Sequence, residues 1–366
     1  MKTTPLHDAH TKLKAKMGEF AGYDMPLYYA DGVMAEHNWT RSHAGLFDVS
    51  HMGQVFFTGP GVQAFFEKIT PSSFGAAPHG RAKYTVLTNP QGGIIDDLIV
   101  TKVTDDKYFA VVNAGCKDKD FAWMQKHLPA DVKMEILADR ALIALQGPEV
   151  EQVLRDIQHI DTEGMPYMWF MEANLTDGTA VYISRLGYTG EDGYEISVPA
   201  DMADGLWTQL LMHGAVKPVG LAARDSLRLE MGYPLYGHDI DDTTSPVEAG
   251  LSWVMGKENT GFIGADAVLP HLKNGAPRQR VGIKLIDKGI AREGAEIVVN
   301  GQTVGKLTSG SHAPSLNCAV AMGYVPAAQA APGTKIAVNV RGRELAAEIV
   351  SLPFMKARTK SMKLAA

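Results

Sequence analysis

Acids set beside glycines are the clearest chemical pattern in this chain. In QGGIIDDLIV (91–100), two glycines lead into Asp96 and Asp97, and an apolar run follows at once. Neighbouring side chains on a strand point to opposite faces. One of the two acids is therefore expected to meet solvent and the other a cleft. In YTGEDGYEIS (188–197) the same alternation isolates Glu195. A carboxylate withdrawn from water is costly unless cations or hydrogen-bond donors surround it. Arg224, in AARD, is the candidate partner or anion clamp. Taken singly, each acid reads better as a turn residue or a structural ion pair, and only their combination points to a site.

Other chemistries lack their motifs. No Gly-rich dinucleotide fingerprint follows a strand, and there is no P-loop, no His-Glu-x-x-His and no Gly-x-Ser-x-Gly elbow. GHDIDD and EHNWTRSH are rich in ligand-type residues but match no metal-binding spacing. The two cysteines, Cys116 and Cys318, form no CxxC, which excludes a disulfide framework and fits a reducing compartment. Cys116 lies near lysines but has no identifiable base, so it reads as a packed small residue. A net charge of −6 over 366 residues, with the basic residues scattered, argues against nucleic acid. The N-terminus shows no signal or transit pattern and no apolar run is long enough to span a bilayer, so a cytosolic protein, or a mature organellar one, is expected.

The elements that would carry these acids repeat. FFTGPGVQAFFEKIT (56–70) and IALQGPEVEQVLRDI (143–157) share an apolar strand, a Gly-Pro turn and an amphipathic helix. Gly59 aligns with Gly147, Val62 with Val150, and Ile69 with Ile157. A hairpin, strand and helix follow each copy, which suggests a duplicated unit with Asp97 and Glu195 on related hairpins across a pseudo-twofold cleft. Residues 6–18 and 33–45 read as helices, as do 220–232. Beyond a Gly/Pro/Lys boundary near 273–280, short strands alternate with glycine turns, and Asn300-Gly301 marks a hairpin. This part reads as a small β-barrel or jelly-roll domain.

FAGYDMPLYY, GLFDVSHMGQ, GGIIDDLIV, VVNAG, ALQGP, GYTGEDGYEISVP, LAARDSLRLE, PLYGHDIDDTTSPVEAGLSW and LTSGSHAPSLNCAVAMGYV occur in this order along nearly the whole chain. In these stretches the sequence resembles the aminomethyltransferase (T-protein) family of the glycine cleavage system. The resemblance implies an α+β cloverleaf of three domains around a central channel, two of them interleaved and the third the C-terminal β domain. The interleaving expected is roughly 1–50 with 140–185 and 240–275, and 51–139 with 186–239, followed by a barrel over 280–366.

The resemblance also implies a reaction. The family moves the carbon of an aminomethyl group, held on the lipoyl arm of H-protein, to tetrahydrofolate, without metal, flavin or nucleotide. By matching motifs, Asp97 would be the catalytic carboxylate and Asp96 its structural neighbour. Glu195 would bind the pterin, since one carboxylate accepts a paired amino group and ring N–H. Arg224 would belong to the folate site, and Tyr84, Asn113 and Tyr188 would line it. Met52 and Trp253 are further candidates for contact. A basic residue of the tail, Arg358 or Lys360, would stand near the cavity mouth. Two rivals share the fold: a folate-dependent demethylase or methyltransferase, and a non-catalytic folate sensor.

Overall fold

The computed structural model describes residues 1–360. A short helix α1 (His7–Lys12) leads into a hairpin of β1 (Lys16–Phe20) and β2 (Tyr23–Tyr28). The helix expected over 6–18 thus stops early. Ala21 and Gly22, at φ 51° and 82°, form the turn that pairs the two strands. Helix α2 (Val33–Ser42) and strand β3 (Ala44–Asp48) complete the N-terminal segment.

Two copies of one unit follow. The first runs β4 (Gly53–Thr58), α3 (Val62–Ile69), β5 (Arg81–Thr88), β6 (Ile94–Lys102), β7 (Lys107–Val112), α4 (Lys117–His127) and β8 (Lys133–Ile136). The second runs β9 (Arg140–Gln146), α5 (Val150–Gln158), β10 (Trp169–Asn174), β11 (Ala180–Arg185), β12 (Gly193–Pro199), α6 (Ala203–Leu211) and β13 (Val216–Pro218). Apolar residues at i, i+3, i+4 and i+7 make α3 amphipathic, and Val62, Phe65, Phe66 and Ile69 are all buried. Each such side chain contributes about 1.5–3 kcal/mol by leaving water. Val150, Val153 and Leu154 do the same for α5.

The turn before each helix requires glycine. Gly59 and Gly147 share φ 140°, and a Cβ would lie 1.9 Å from the Asp131 carbonyl oxygen or 2.0 Å from that of His43. The match in conformation and in obstructing backbone establishes the repeat beyond its wording.

The units join in one 11-stranded sheet of order β13-β3-β9-β12-β11-β10-β5-β6-β7-β4-β8. Read outward from the β10/β5 junction, both halves run first, second and third strand, then the leading strand. That junction is a single pair, Trp169 with Arg81. Strand β3 is inserted between β9 and β13, so the N-terminal segment becomes part of the second half. One core packs Leu6, Ala44 and Leu46 with residues of 141–216, and another packs residues of 55–132. The buried side chains of 186–216 therefore share a core with those of 141–183, whereas the sequence reading grouped 186–239 with 51–139.

Helix α7 (Leu221–Glu230) carries Arg224, and helix α8 (Ala265–Asn274) precedes the last domain. Strands β14 (Arg278–Leu285), β15 (Glu296–Val299), β16 (Gln302–Ala313), β17 (Cys318–Pro326), β18 (Lys335–Val340) and β19 (Arg343–Val350) close into a barrel of order β14-β17-β16-β15-β18-β19. Asn300 and Gly301 turn β15 into β16 with positive φ, as expected. Among the described residues, no helix is long and apolar enough to cross a membrane.

Candidate active site

Asp97 sits on β6 opposite Val86 of β5, and Asp96 sits opposite Leu87. Strand alternation gives them different neighbours, but neither is solvated, because both faces of β6 are covered. Asp96 is fully buried beside Cys116 and Asp120 at the start of α4, and Asp97 is buried beside Tyr84. The expectation of one exterior acid is therefore corrected. One side chain serves both acids. Asn113, just beyond β7, donates from Nδ2 to Asp96 Oδ1 at 3.0 Å and to Asp97 Oδ1 at 2.9 Å. It also donates to the Asp97 carbonyl at 3.0 Å.

Burial, then the charge of Asp96, raises the Asp97 carboxyl to about 7, against weaker lowering by Tyr84 and Asn113. The Tyr84 hydroxyl faces this carboxylate but makes no hydrogen bond of ordinary geometry, and its own pKa is raised by burial and by Asp97. A carboxyl that titrates near neutrality beside a phenol suits proton transfer.

Glu195 lies on β12, buried opposite Ser184 and Ala144. Burial raises its pKa, and among the described groups only the charge of Arg224 acts to lower it. Arg224 stacks its guanidinium over the Tyr188 ring at 4.9 Å. Its Nη1 is buried and has no hydrogen-bond partner among the described residues. Tyr188 donates its hydroxyl to the Pro234 carbonyl and stacks on Tyr233 at 5.8 Å. Asp97 acts electrostatically on both Tyr84 and Tyr188, which links the two ends of the site.

Tyr84, Asn113, Tyr188 and Arg224 all keep some accessible surface. Trp253 is 67% exposed and stacks on Tyr84 at 5.5 Å, so it does not fill a core. Met52 packs half-buried against a core that includes Phe47 and Val49, without a contact that ties it to the acids. The two tail cations are already paired: Arg358 donates to Glu191 Oε1, and Lys360 to Glu151 Oε2 at 2.8 Å. The rest of the basic stretch, 361–363, lies outside the described residues.

The repeat does not relate the two principal acids as expected. With Gly59 aligned to Gly147, strand pairing places Phe109 at the position of Glu195 and Ala180 at that of Asp97. The acids stand on non-equivalent strands, β6 and β12.

Sequence reasoning missed Asp120, Tyr167 and Tyr233. Tyr167 lies where Glu195 and Tyr233 both raise its pKa, after burial. No local pattern marks them, since each is brought in by tertiary packing. In EHNWTRSH, two of the ligand-type residues have structural partners. Glu36 caps the Tyr29 and Gly220 N–H groups, and His37 contacts Ser226 Oγ at 2.7 Å. Among the described residues, no group of three or more His, Cys, Asp or Glu is arranged to hold a metal ion.

Comparison with known proteins bears on the chain as a whole. Residues 6–259 match the GCVT N-terminal domain, and residues 278–356 match the glycine cleavage T-protein C-terminal barrel domain. The chain is 42% identical over 364 residues to a probable mitochondrial aminomethyltransferase of Schizosaccharomyces pombe, covering 97% of this chain and 93% of that one. It is 40% identical to an aminomethyltransferase of Phocaeicola vulgatus, covering 97% and 100%. The crystal structure of glycine cleavage system aminomethyltransferase T from Bartonella henselae superposes with a TM-score of 0.94 at 41% identity, covering 98% and 99%. From the two matched domains, the full-length relatives and the shared fold, the chain belongs to the glycine cleavage T-protein family of aminomethyltransferases.

Proposed function

We propose that this enzyme transfers the methylene carbon of an aminomethyl group, carried on sulfur by the lipoyl arm of H-protein, to tetrahydrofolate. The bonds from that carbon to nitrogen and to sulfur break. Ammonia leaves, and the sulfur becomes a thiol. The carbon is bonded to two folate nitrogens, which lose their protons, and 5,10-methylenetetrahydrofolate results.

One observation carries the reading. Glu195 is buried with only the Arg224 charge acting to lower its pKa, and the buried Nη1 of Arg224 has no hydrogen-bond partner among the described residues. Buried charges without partners are expensive and rare, so a ligand with complementary donors and acceptors fits here. A pterin offers Glu195 an amino group beside a ring N–H, and Tyr188 gives its ring a flat apolar face. The folate nitrogens would then lie towards Asp97. As a base near neutrality, Asp97 takes a proton from nitrogen, and as an anion it stabilises the cationic carbon unit. Trp253 and Tyr84 exclude water from that carbon. A cytosolic location, by analogy with bacterial relatives, goes with this reading.

The test is to incubate the protein with tetrahydrofolate and aminomethyl-loaded H-protein, and to follow ammonia and methylenetetrahydrofolate. Release of both is expected. Bound folate without either product would transfer the reading to methyl transfer or to folate sensing.

A further inference from the structure

Asp120 has no part in the proposed reaction, yet its surroundings are unusual. It lies in the first turn of α4 with 0% exposure, and among the described residues neither of its carboxylate oxygens receives a hydrogen bond from an N–H or O–H group. Its carboxyl faces that of Asp96, and each acts on the other's pKa. Two ionised carboxylates are not stable together in a dry pocket, so one keeps a proton and donates it to the other. The remaining donors decide which. Asp96 accepts the Asn113 N–H at 3.2 Å and Nδ2 at 3.0 Å, while Asp120 accepts neither. Asp96 is thus the anion and Asp120 the acid. Burial and the facing Asp96 charge raise the Asp120 pKa accordingly.

Asn113 passes this arrangement on. The same NH2 group that meets Asp96 also meets Asp97 Oδ1 at 2.9 Å. We propose that Asp120 is a positioning residue for Asp97: as a neutral acid it fixes Asp96 as an anion, Asp96 orients Asn113, and Asn113 holds the Asp97 carboxylate towards Tyr84 and Tyr188. The proposal rests on the reading of Asp97 as the general base. It has an electrostatic consequence, because the fixed charge of Asp96 makes Asp97 a stronger base. The other groups that face this array are Tyr84 and Tyr188 beside Asp97, and Cys116 and Lys119 beside Asp120. Tyr236 and Asp242 lie next to them, and the Lys119 ammonium is directed to the Tyr236 hydroxyl at 2.7 Å.

The test compares Asp120→Asn with Asp120→Ala in the full chain. Asparagine retains a donor for Asp96, and alanine does not. Without a donor, Asp96 takes up a proton itself and its charge is lost. The Asp97 pKa then falls, so the acid limb of the turnover profile moves to lower pH by roughly one unit. Turnover on the plateau above the limb drops by a few-fold, and tetrahydrofolate affinity stays within about twofold. Asp120→Asn keeps the wild-type limb. An alanine variant with an unmoved limb, or an asparagine variant equally impaired, would overturn the proposal. Carboxyl titration by 13C NMR of the unliganded protein provides a second reading that does not depend on turnover or on a folded alanine variant. The Asp120 carboxyl should remain protonated through pH 7, and its titration near pH 4 would overturn the proposal. If Asp97→Asn were fully active, the general-base reading would fail, while the NMR titration would still report on the coupling.

Discussion

Asp97 combines two properties at the scale of single residues: it is a carboxyl shifted to about 7, and it stands beside an unsatisfied phenol. The direction of the shift fixes the pH dependence. A base works unprotonated, so kcat/KM should fall about tenfold per unit below pH 7 and level off above it. A limb at pH 4, the ordinary carboxyl range, would contradict the shift. Glu195→Ala removes a charge-assisted contact worth about 1.5–3 kcal/mol, so tetrahydrofolate should bind about ten- to a hundredfold more weakly by calorimetry. Unchanged affinity would remove Glu195 from the binding site. The glycine hairpins drew attention to both acids, but alternation alone gave the wrong surroundings for Asp96, and the family resemblance supplied the expected roles. Asp120 was not legible. In KDKD it is one of two acids in a charged helix turn, and only the packing of α4 on β6 distinguishes it from Asp118, which is exposed.

Periodicity carries most of the information at the scale of elements. The α3 and α5 faces, the Gly-Pro turns and the Asn-Gly hairpin all stand where their patterns lie. Residues 6–18 show the limit of such reading. Lysines and alanines there favour a helix locally, but pairing of Lys16–Phe20 with Tyr23–Tyr28 prevails. The repeat turns give a direct prediction. In Gly59→Ala the new methyl would meet the Asp131 carbonyl, in backbone geometry that other residues rarely adopt. A loss of about 2–4 kcal/mol is expected in urea unfolding. A loss below about 0.5 kcal/mol would mean that the turn relaxes freely.

The whole molecule is held together by a buried ionic network that no local pattern announces, since its members are far apart in sequence. Arg41 donates to Glu191 at 2.9 Å and to Glu230 at 2.7 Å. Glu230 also accepts from the Ser315 N–H at 2.8 Å and contacts His37 at 3.2 Å. Arg358 closes the set on Glu191. Helices α2 and α7, the barrel and the tail thereby meet at one point, near the helix that carries Arg224. Glu230→Ala would remove one of the two carboxylates that Arg41 donates to and leave the Ser315 N–H without its acceptor, at a cost of about 3–5 kcal/mol in unfolding experiments. The Glu230 carboxyl is lowered to about 2 by His37, Arg41 and Ser315, against the raising effect of burial. Its contribution to stability is therefore present above the ordinary glutamate pKa and lost as pH falls from about 4.3 towards 2. In Glu230→Ala, that part of the acid unfolding curve should flatten.

The measurement that tests the central claim most directly is a pair of readings on Asp97→Asn: tetrahydrofolate affinity, and turnover with aminomethyl-loaded H-protein. Asparagine keeps the shape and the Asn113 neighbourhood but cannot take up a proton. The account predicts affinity within about threefold of wild type and turnover reduced by about 10²–10⁴-fold. Wild-type turnover by this variant would contradict the assignment of Asp97 as the base, and with it the account of why this strand carries two buried acids.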